Sequence, residues 1–587
     1  MKKIRLVIIL CVISMVCGPI NQIYSNAQSI NKNQMFHDIK KKQENNNEFD
    51  NGSKIGKITL SEENISNLTL LGKVWGFLKY YHPKVAEGKY NWDYELFRIL
   101  PKVIDVDKAT RDKNLYSWIE SQGEFKIKDK IKPVLGEVKI AANLDWITNS
   151  NLSKELVLQL TNIKNAERTG INNYVSLHWN VGNPNFKNEK PYEAMKYPDV
   201  GYQMLSLYRY WNIIEYYFPY KNLIEENWDG VLEEFIPKFI NASNELEYKL
   251  AALELIGRVH DTHADIYGNP TLYDYFGVSL SPVKISFIEN KAVVTGYYNE
   301  DLGKKSGLQL GDIIVGINKK PINNVVEDRL KYYPASNYPT KLRNISSDLL
   351  RSNDDFLDIE FIRENKKISS KIQCYPIDKI YANNSSTKKD CFKLINSDIG
   401  YIYPGTIKNK YISEIMTKTK NTKGLIIDLR CYPSEFIVFT LGSYLVPEKS
   451  EFAKITTGST FDPGVFRMKT PIKVGKKNLD YYKGKVVIIV NEETQSQAEY
   501  TAMAFKTAPN VTVIGSTTAG ADGNVSEFYL PGKIYTMISG IGIYYPNGGE
   551  TQRIGIVPDI EVHPTIEGIK EGRDELLEKA IEIIKGQ

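Results

Sequence analysis

The chain has 587 residues, and 75 Lys and Arg against 70 Asp and Glu leave a net charge of +5. This length exceeds what one hydrophobic core supports, and domains of about 100–200 residues predict three to five units. So small a charge excess on so large a surface excludes a strong electrostatic attraction to nucleic acid, and we expect no nucleic-acid partner.

The N-terminus has the pattern of a signal peptide. MKKIR supplies positive charge, LVIILCVISMVCG is a short apolar run, and small residues up to Ala27 mark a cleavage site. We expect 1–27 to be removed and the protein to be exported to a periplasm, a cell envelope or the medium. A lipoprotein cut before Cys17 and an uncleaved anchor stay open, and membrane contact is expected through this segment alone. Residues 28–57, rich in Asn, Lys and Gln, are predicted to form a disordered spacer.

The expected mature chain has three cysteines, Cys374, Cys391 and Cys431. So few cysteines in so long a chain exclude a disulfide scaffold. One bridge from Cys374 to Cys391 stays open.

Two stretches, 71–103 and 207–239, resemble one another without a gap. Trp75 matches Trp211 at an offset of 136 (211 − 75), and the same offset pairs two Tyr-Tyr, two Trp-Asp and two Pro-Lys dipeptides. Apolar residues recur at helical spacing, a proline interrupts them, and a second amphipathic run follows, so each copy is predicted to be a helical hairpin. The aromatic residues are expected in the helix core, with a ligand-stacking face as the alternative.

The two copies divide the first half of the chain. Residues 58–195 are predicted to hold the first copy and a small β-containing module. Residues 196–275 are predicted to hold the second copy, which continues through another amphipathic helix into RVHDTHADIYG. The first copy has no histidine at the corresponding place.

Residues 276–378 change to a period of two, which indicates strands. SGLQLGDIIVGINKKPI, at 306–322, resembles the signature of a PDZ domain. That resemblance implies an exposed strand edge beside a helix, where a peptide C-terminus adds as an extra strand. A β domain that serves only as a spacer is the alternative.

Residues 379–587 have an α/β pattern. GLIIDLR and VVIIVNEE are continuous apolar strands of the kind that are buried on both faces, and helical runs alternate with them. Ser496 stands at the strand-to-helix transition after VVIIVN, where the amide of Gln497 and a helix N-terminus could hold an oxyanion. A plain helix cap is the alternative role for Ser496.

The order of these parts resembles the C-terminal processing and tricorn-core family of serine peptidases. The resemblance covers 206–587 and rests on the histidine motif, the PDZ-like segment, GLIIDLR, NEETQSQAE and GIVPDIEV. It implies an α/β multidomain protein with a ClpP/crotonase-like peptidase core. It also implies that Ser496 is the nucleophile, in an enzyme that needs no cofactor or metal.

The resemblance also indicates the base. Members with a serine-lysine pair place the lysine about 25 residues after the serine, but position 521 is Ala521, and neither Lys506 nor Lys533 fits the pattern. The tricorn-like branch uses a histidine in a motif that Val259–His263 fits. His263 is therefore the expected base, with Thr262 as its supporting neighbour.

Two further roles follow from the resemblance. The oxyanion is expected to bind the amides of Gln497 and of Cys431 or Tyr432, although the family usually has glycines after Asp-Leu-Arg. The residue that orients the histidine is usually a glutamate, where this chain has Gln552. Glu550 is the substitute carboxylate, and the choice between Glu550 and Gln552 stays open.

Other interpretations of His260 and His263 remain. One is a zinc site, but such a site needs a third protein ligand and the HExxH motif is missing, so this is the weaker of the two. The other is core packing without a chemical role. We predict an exported serine endopeptidase whose PDZ-like domain binds the tails of peptide or unfolded protein substrates. A pseudopeptidase that binds peptides without cleaving them is the alternative. The sequence leaves the oligomeric state open.

Overall fold

The computed structural model describes residues 47–129, 136–382 and 389–586. The predicted signal peptide and residues 28–46 of the predicted spacer lie outside the described residues. No helix in the described part combines the length and the apolar character needed to cross a bilayer. The three described cysteines are free thiols, so the open Cys374–Cys391 bridge is absent.

The first half of the described chain is mostly helical. Its helices are α1 Glu62–Tyr81, α2 Pro83–Ala86, α3 Trp92–Ile99, α4 Lys108–Glu120, α5 Trp146–Asn149, α6 Lys154–Lys164, α7 Val200–Tyr217, α8 Trp228–Asn241, α9 Glu245–Gly257 and α10 Pro270–Phe276. Its strands are β1 Val138–Ile140, β2 Val175–Leu177 and β3 Pro184–Phe186.

The middle module is β-rich. Its strands are β4 Ser279–Leu280, β5 Val283–Ile288, β6 Lys291–Tyr297, β7 Ile313–Ile317, β8 Lys320–Pro321, β9 Arg351–Ser352, β10 Phe356–Arg363, β11 Lys366–Gln373 and β12 Tyr375–Pro376. Its helices are α11 Glu300–Lys305, α12 Ile322–Arg329, α13 Tyr338–Asp348 and α14 Ile377–Ala382. The main sheet is antiparallel in the order β11-β10-β7-β6-β5.

The last part alternates strands and helices. Its strands are β13 Phe392–Asn396, β14 Ile399–Ile402, β15 Gly424–Asp428, β16 Ser450–Thr457, β17 Phe466–Met468, β18 Ile472–Val474, β19 Lys485–Val490, β20 Val511–Gly515, β21 Val525–Leu530, β22 Ile534–Ser539, β23 Gly542–Tyr544 and β24 Ile560–Glu561. Its helices are α15 Asn409–Thr419, α16 Val438–Leu445, α17 Gln497–Phe505, α18 Ile566–Lys570 and α19 Glu575–Lys585.

The central sheet of this last part has the order β13-β14-β15-β19-β20-β24. Its strands from β14 to β24 run parallel, and β14, β15 and most of β19 are buried. Burial on both faces explains why these strands are apolar without alternation. The predicted α/β core is confirmed.

Each helical repeat is closed by a reciprocal pair of indoles. Trp75 and Trp92 each donate a hydrogen bond from Nε1 to the carbonyl of the other, both at 3.0 Å. Trp211 and Trp228 repeat the arrangement at 2.8 and 3.2 Å. All four indoles are buried, so the predicted core role of the aromatic residues is confirmed.

The two repeats meet through equivalent positions. A Cβ atom added to Gly72 would lie 2.6 Å from the ring of Tyr208, and one added to Gly76 would lie 1.8 Å from Asn212. Both pairs have the duplication offset of 136 (208 − 72 and 212 − 76). Where equivalent residues of the two copies face each other, one must be small for the other to be large.

The boundary of the predicted spacer is wrong for residues 48–57. Phe49 is only 5% exposed, and its ring packs edge-on against Tyr94 and Phe97. Ser53 donates from its backbone nitrogen to Asp199 Oδ2 at 2.7 Å. An aromatic ring and a polar anchor to the N-cap of α7 give this stretch enough contacts to become ordered.

Candidate active site

Ser496 lies at the junction between β19 and α17, in a strained backbone conformation. Its φ of 56° and ψ of −117° are unusual for a residue other than glycine. Its amide donates to the carbonyl of Ala521 at 2.9 Å and to Glu499 Oε2 at 3.1 Å. These bonds hold the turn that places the serine at the start of the helix.

Glu499 joins this turn to the segment that follows β20. Its carboxylate also accepts the amides of Gly520 at 2.7 Å and Ala521 at 3.0 Å, and it is only 1% exposed. Several donors on one buried carboxylate make the serine turn rigid. Glu499 lies within NEETQSQAE, but its place in that stretch does not by itself indicate this role.

Two loops meet beside Ser496 because β15 and β19 are neighbours in the parallel sheet. Thr494 Oγ1 donates to the carbonyl of Leu429 at 2.8 Å, and Gln497 Nε2 donates to the carbonyl of Glu435 at 2.8 Å. The structure therefore brings the predicted oxyanion loop next to the predicted nucleophile. The carboxyl ends of adjacent parallel strands are where such sites form.

The backbone N–H groups of Gln497 and Cys431 donate no hydrogen bond to a protein group within the described residues. Two unpaired N–H groups on adjoining loops are the donors that an oxyanion requires. The thiol of Cys431 does not compete as a nucleophile, because burial and the nearby Asp428 raise its pKa to about 12. Tyr432 is 59% exposed at the edge of the same loop.

His263 follows α9 and lies against the end of β22. Its Nδ1 is 2.9 Å from Ser539 Oγ, and the residue is only 6% exposed. Ser539 Oγ in turn donates to Asp261 Oδ1 at 2.9 Å. Ser539 is a site residue that sequence reasoning missed, since a serine at the end of an ordinary strand has no distinguishing pattern.

Thr262 anchors the histidine turn to two other segments. Its hydroxyl accepts the amide of Ser336 at 2.8 Å and lies 3.0 Å from the carbonyl of Ala519. The amide of Ala519 donates to the carbonyl of Thr494, two residues before Ser496. The segment after β20 thus contacts both the histidine turn and the serine turn, although no hydrogen bond joins the Ser496 hydroxyl to His263 in the described part.

Neither expected orienting residue forms a hydrogen bond or ion pair with the imidazole in the described part of the chain. Glu550 instead forms an ion pair with Lys139 at 2.8 Å, because the β1 segment packs beside it. Gln552 directs Nε2 toward Asp261 Oδ1 and Ser336 Oγ, each at 3.3 Å. The expectation that Glu550 serves as the substitute carboxylate is therefore wrong, and the amide of Gln552 acts as a donor to Asp261.

His260 and His263 have different surroundings. The imidazole of His260 lies 3.8 Å from Glu226, and burial together with Arg553 and Lys341 lowers its pKa to about 4. No cluster of three or more His, Cys, Asp or Glu side chains suited to a metal occurs in the described ranges.

The two lysines that could replace the histidine are engaged elsewhere. Lys506 pairs with Asp559 at 2.7 Å, and Lys533 pairs with Glu193 at 2.8 Å. Ala521, where a family lysine would stand, is fully buried.

Asp265, two residues after His263, makes stability depend on pH. Burial of its carboxyl group, assisted by Asp348 and opposed by the amide of Ile266, raises its pKa to about 7. The folded state therefore holds a proton that the unfolded state releases between about pH 4 and 7, so stability falls as pH rises through that window. Above about pH 7 the buried Asp265 carboxylate lowers the free energy of unfolding by its full amount.

We expect Asp265→Asn to remove this pH dependence. Its free energy of unfolding in urea should exceed that of wild type by about 1 kcal/mol or more at pH 8, and the two should converge near pH 4. The exposed Asp274→Asn is the matched control and should show no such divergence. Parallel curves for wild type and Asp265→Asn from pH 4 to 8 would contradict the assignment.

Comparison with known proteins gives a family match for part of the chain. Residues 398–562, which include Ser496, match the sequence profile of peptidase family S41. No curated protein matches the chain.

One solved structure, with a TM-score of 0.50, shows the fold of part of the chain. Mature CPAF complexed with lactacystin is 13% identical with a TM-score of 0.50, and the match covers 66% of this chain and 98% of that one. A putative peptidase from Parabacteroides merdae is 17% identical with a TM-score of 0.41, over 66% of this chain and 96% of that one. The photosystem II D1 C-terminal processing protease is 15% identical with a TM-score of 0.38, over 64% of this chain and 98% of that one. The family match lies within residues 398–562, the segment that holds Ser496, and it supports a serine-type peptidase.

Proposed function

We propose that the protein is an exported serine endopeptidase in which Ser496 is the nucleophile and His263 the general base. The observation that carries the proposal is the position of Ser496, strained at a helix N-terminus beside the unpaired amides of Gln497 and Cys431. A serine in this setting has oxyanion donors on both adjoining loops.

The reaction is acyl transfer. His263 Nε2 takes the proton of the Ser496 hydroxyl as Oγ attacks the carbonyl carbon of a peptide, and the amides of Gln497 and Cys431 bind the oxyanion. The imidazolium then gives its proton to the leaving amine, which frees the new N-terminus. Water, activated by the same imidazole, hydrolyses the acyl-enzyme. Catalytic hydrogen bonds that are long in a free enzyme shorten when substrate binds.

The substrates of a peptidase are peptides or proteins, and we propose that the β-rich module at 276–378 binds their C-terminal tails. In the described part, β5 is paired on one side only, with β6. Ile345 of α13 packs in the same apolar cluster as Ile285 of β5. A strand edge beside a helix supports recognition of a tail by strand addition.

A fluorophosphonate probe tests the proposal, because it reacts with activated serines. We expect wild type to be labelled at Ser496, located by peptide mass spectrometry, and Ser496→Ala to remain unlabelled. Ser347→Ala is the matched control, since Ser347 is an exposed serine on α13, and it should label like wild type. A wild-type chain that is neither labelled nor able to cleave unfolded protein, yet binds peptides with a free carboxyl terminus, would instead be a pseudopeptidase.

A further inference from the structure

The S41-like pattern usually has a glutamate that orients the histidine at the position where this chain has Gln552. In the structure, a different carboxylate, that of Asp261, lies near the imidazole of His263. We propose that Asp261, acting through the hydroxyl of Ser539, positions the imidazole of His263 and stabilises its charged form. The inference rests on the proposed function, in which His263 is the base. Asp261 and Ser539 are positioning residues, since neither is placed to touch the substrate.

The hydrogen bonds of Ser539 determine which nitrogen of the neutral His263 imidazole carries the proton. Ser539 has one amide proton, which goes to Asp261 Oδ2 at 2.6 Å, and one hydroxyl proton, which goes to Asp261 Oδ1 at 2.9 Å. Its oxygen can therefore only accept from His263 Nδ1, at 2.9 Å. Nδ1 must carry the proton of the neutral ring, which leaves the lone pair on Nε2 to receive the proton of Ser496.

The surroundings of Asp261 favour its ionised form. It is fully buried, and besides the two donors of Ser539 it accepts the amide of His263 at 3.2 Å and Nε2 of Gln552 at 3.3 Å. Burial alone would raise its pKa, but the imidazole of His263 and the amides of Ser539 and His263 outweigh burial and lower it. An ionised carboxylate is the partner that a developing imidazolium needs.

The distance suits an electrostatic role as well as an orienting one. Asp261 Oδ1 lies 3.7 Å from His263 Nδ1, too far for a direct hydrogen bond and close enough for strong attraction in a buried site. The serine hydroxyl fills the gap between the two groups. Gln552 is a further, neutral hydrogen-bond donor to Asp261. A glutamate at position 552 would place a second negative charge beside Asp261.

Few other groups near the pair can change charge near neutral pH. Tyr210, Tyr220 and Tyr267 face Asp261, and burial raises the pKa of each far above neutrality. Arg553 donates to the carbonyl of Ser336, and arginine side chains do not lose their proton near neutral pH. Asp265 does titrate near pH 7, so pH profiles must also be recorded in the Asp265→Asn background.

The first test reads the tautomer in wild type without any substitution. The chain has six histidines, so ¹⁵N-histidine NMR can resolve them, with His263→Gln identifying the signal. We expect His263 in the neutral state to carry its proton on Nδ1. A neutral ring protonated on Nε2 would overturn the inference, whether or not the enzyme turns over.

The second test is kinetic, on the full chain with a fluorogenic peptide. In Asp261→Asn and Ser539→Ala we expect kcat to fall about 100-fold or more with KM little changed, and the acidic limb of kcat/KM to move to lower pH. Ser539→Thr keeps a hydroxyl and should recover at least about a tenth of wild-type kcat. Gln552→Glu should lower activity.

The outcomes separate this inference from the proposed function. One set of results would overturn this inference and leave the proposed function intact. In it, wild type cleaves and Ser496→Ala does not, while the activity of both Asp261→Asn and Ser539→Ala stays within about threefold of wild type with an unshifted pH profile. Higher activity in Gln552→Glu than in wild type would also overturn it. If wild type does not cleave, the proposed function itself is wrong. Unfolding midpoints in urea identify variants that fail to fold. If the variants do not fold, the tautomer of His263 in wild type, measured by NMR, decides whether the inference is right.

Discussion

We expect His263→Gln to lower kcat/KM by at least about 1,000-fold, and Lys506→Met and Lys533→Met to leave it within about twofold of wild type. This contrast separates a serine-histidine peptidase from a serine-lysine one. The two lysines form surface ion pairs with Asp559 and Glu193, and such pairs contribute little to stability.

The large effect has a specific cause. Glutamine keeps a polar side chain of similar length at position 263, but it cannot accept and return a proton during acyl transfer. Residual activity would come from the oxyanion amides and from substrate binding alone.

Steady-state kinetics with one fluorogenic peptide, together with unfolding midpoints for all three variants, measures the contrast. A folded His263→Gln that retains more than about a tenth of wild-type activity would show that another group is the base. Loss of activity in Lys506→Met or Lys533→Met, with the fold intact, would identify that group.

The sequence predicts the framework of this site better than its chemistry. The strands β15 and β19 are uninterrupted apolar runs, so the loops that follow them had to meet at one edge of the sheet. The duplication likewise predicts two helical hairpins before either is seen. Both inferences depend on local periodicity, which a single sequence displays directly.

The partners of the histidine could not be predicted in this way. Ser539 is 276 residues from His263, and Gln552 is 291 residues from Asp261, so their contacts depend on long-range packing. Glu550 was the more plausible acid by residue type, yet Lys139 holds it in an ion pair. Which way the amide of Gln552 faces depends on a carboxylate that is distant in sequence.

A buried ionic cluster links the helical repeats to the peptidase core, and its central cation is Arg209 on α7. Its guanidinium lies 2.8 Å from Asp93 and 2.8 Å from Glu189, and it is fully buried. It also donates to the carbonyl of Tyr529 on β21 at 2.8 Å. Lys79, equally buried, pairs with Glu189 at 2.6 Å.

Arg209→Met is expected to lower the free energy of unfolding by about 3–5 kcal/mol, because it leaves two carboxylates buried with one cation between them. Urea unfolding of the full chain measures the change. Lys304→Met is the control, since Lys304 and its partner Glu300 are both 67% exposed, and it should cost less than about 0.5 kcal/mol.

The cause of the loss can be separated from the loss of packing. Methionine keeps most of the apolar stem of Arg209, so neutralising the carboxylates as well, in Asp93→Asn with Glu189→Gln, should recover part of the stability if uncompensated charge is the reason. That triple variant leaves Lys79 without its acid, so the recovery should be incomplete unless Lys79→Met is added. A stable Arg209→Met single variant, or a triple variant no more stable than the single one, would mean that the cluster holds the two halves together by packing and not by charge.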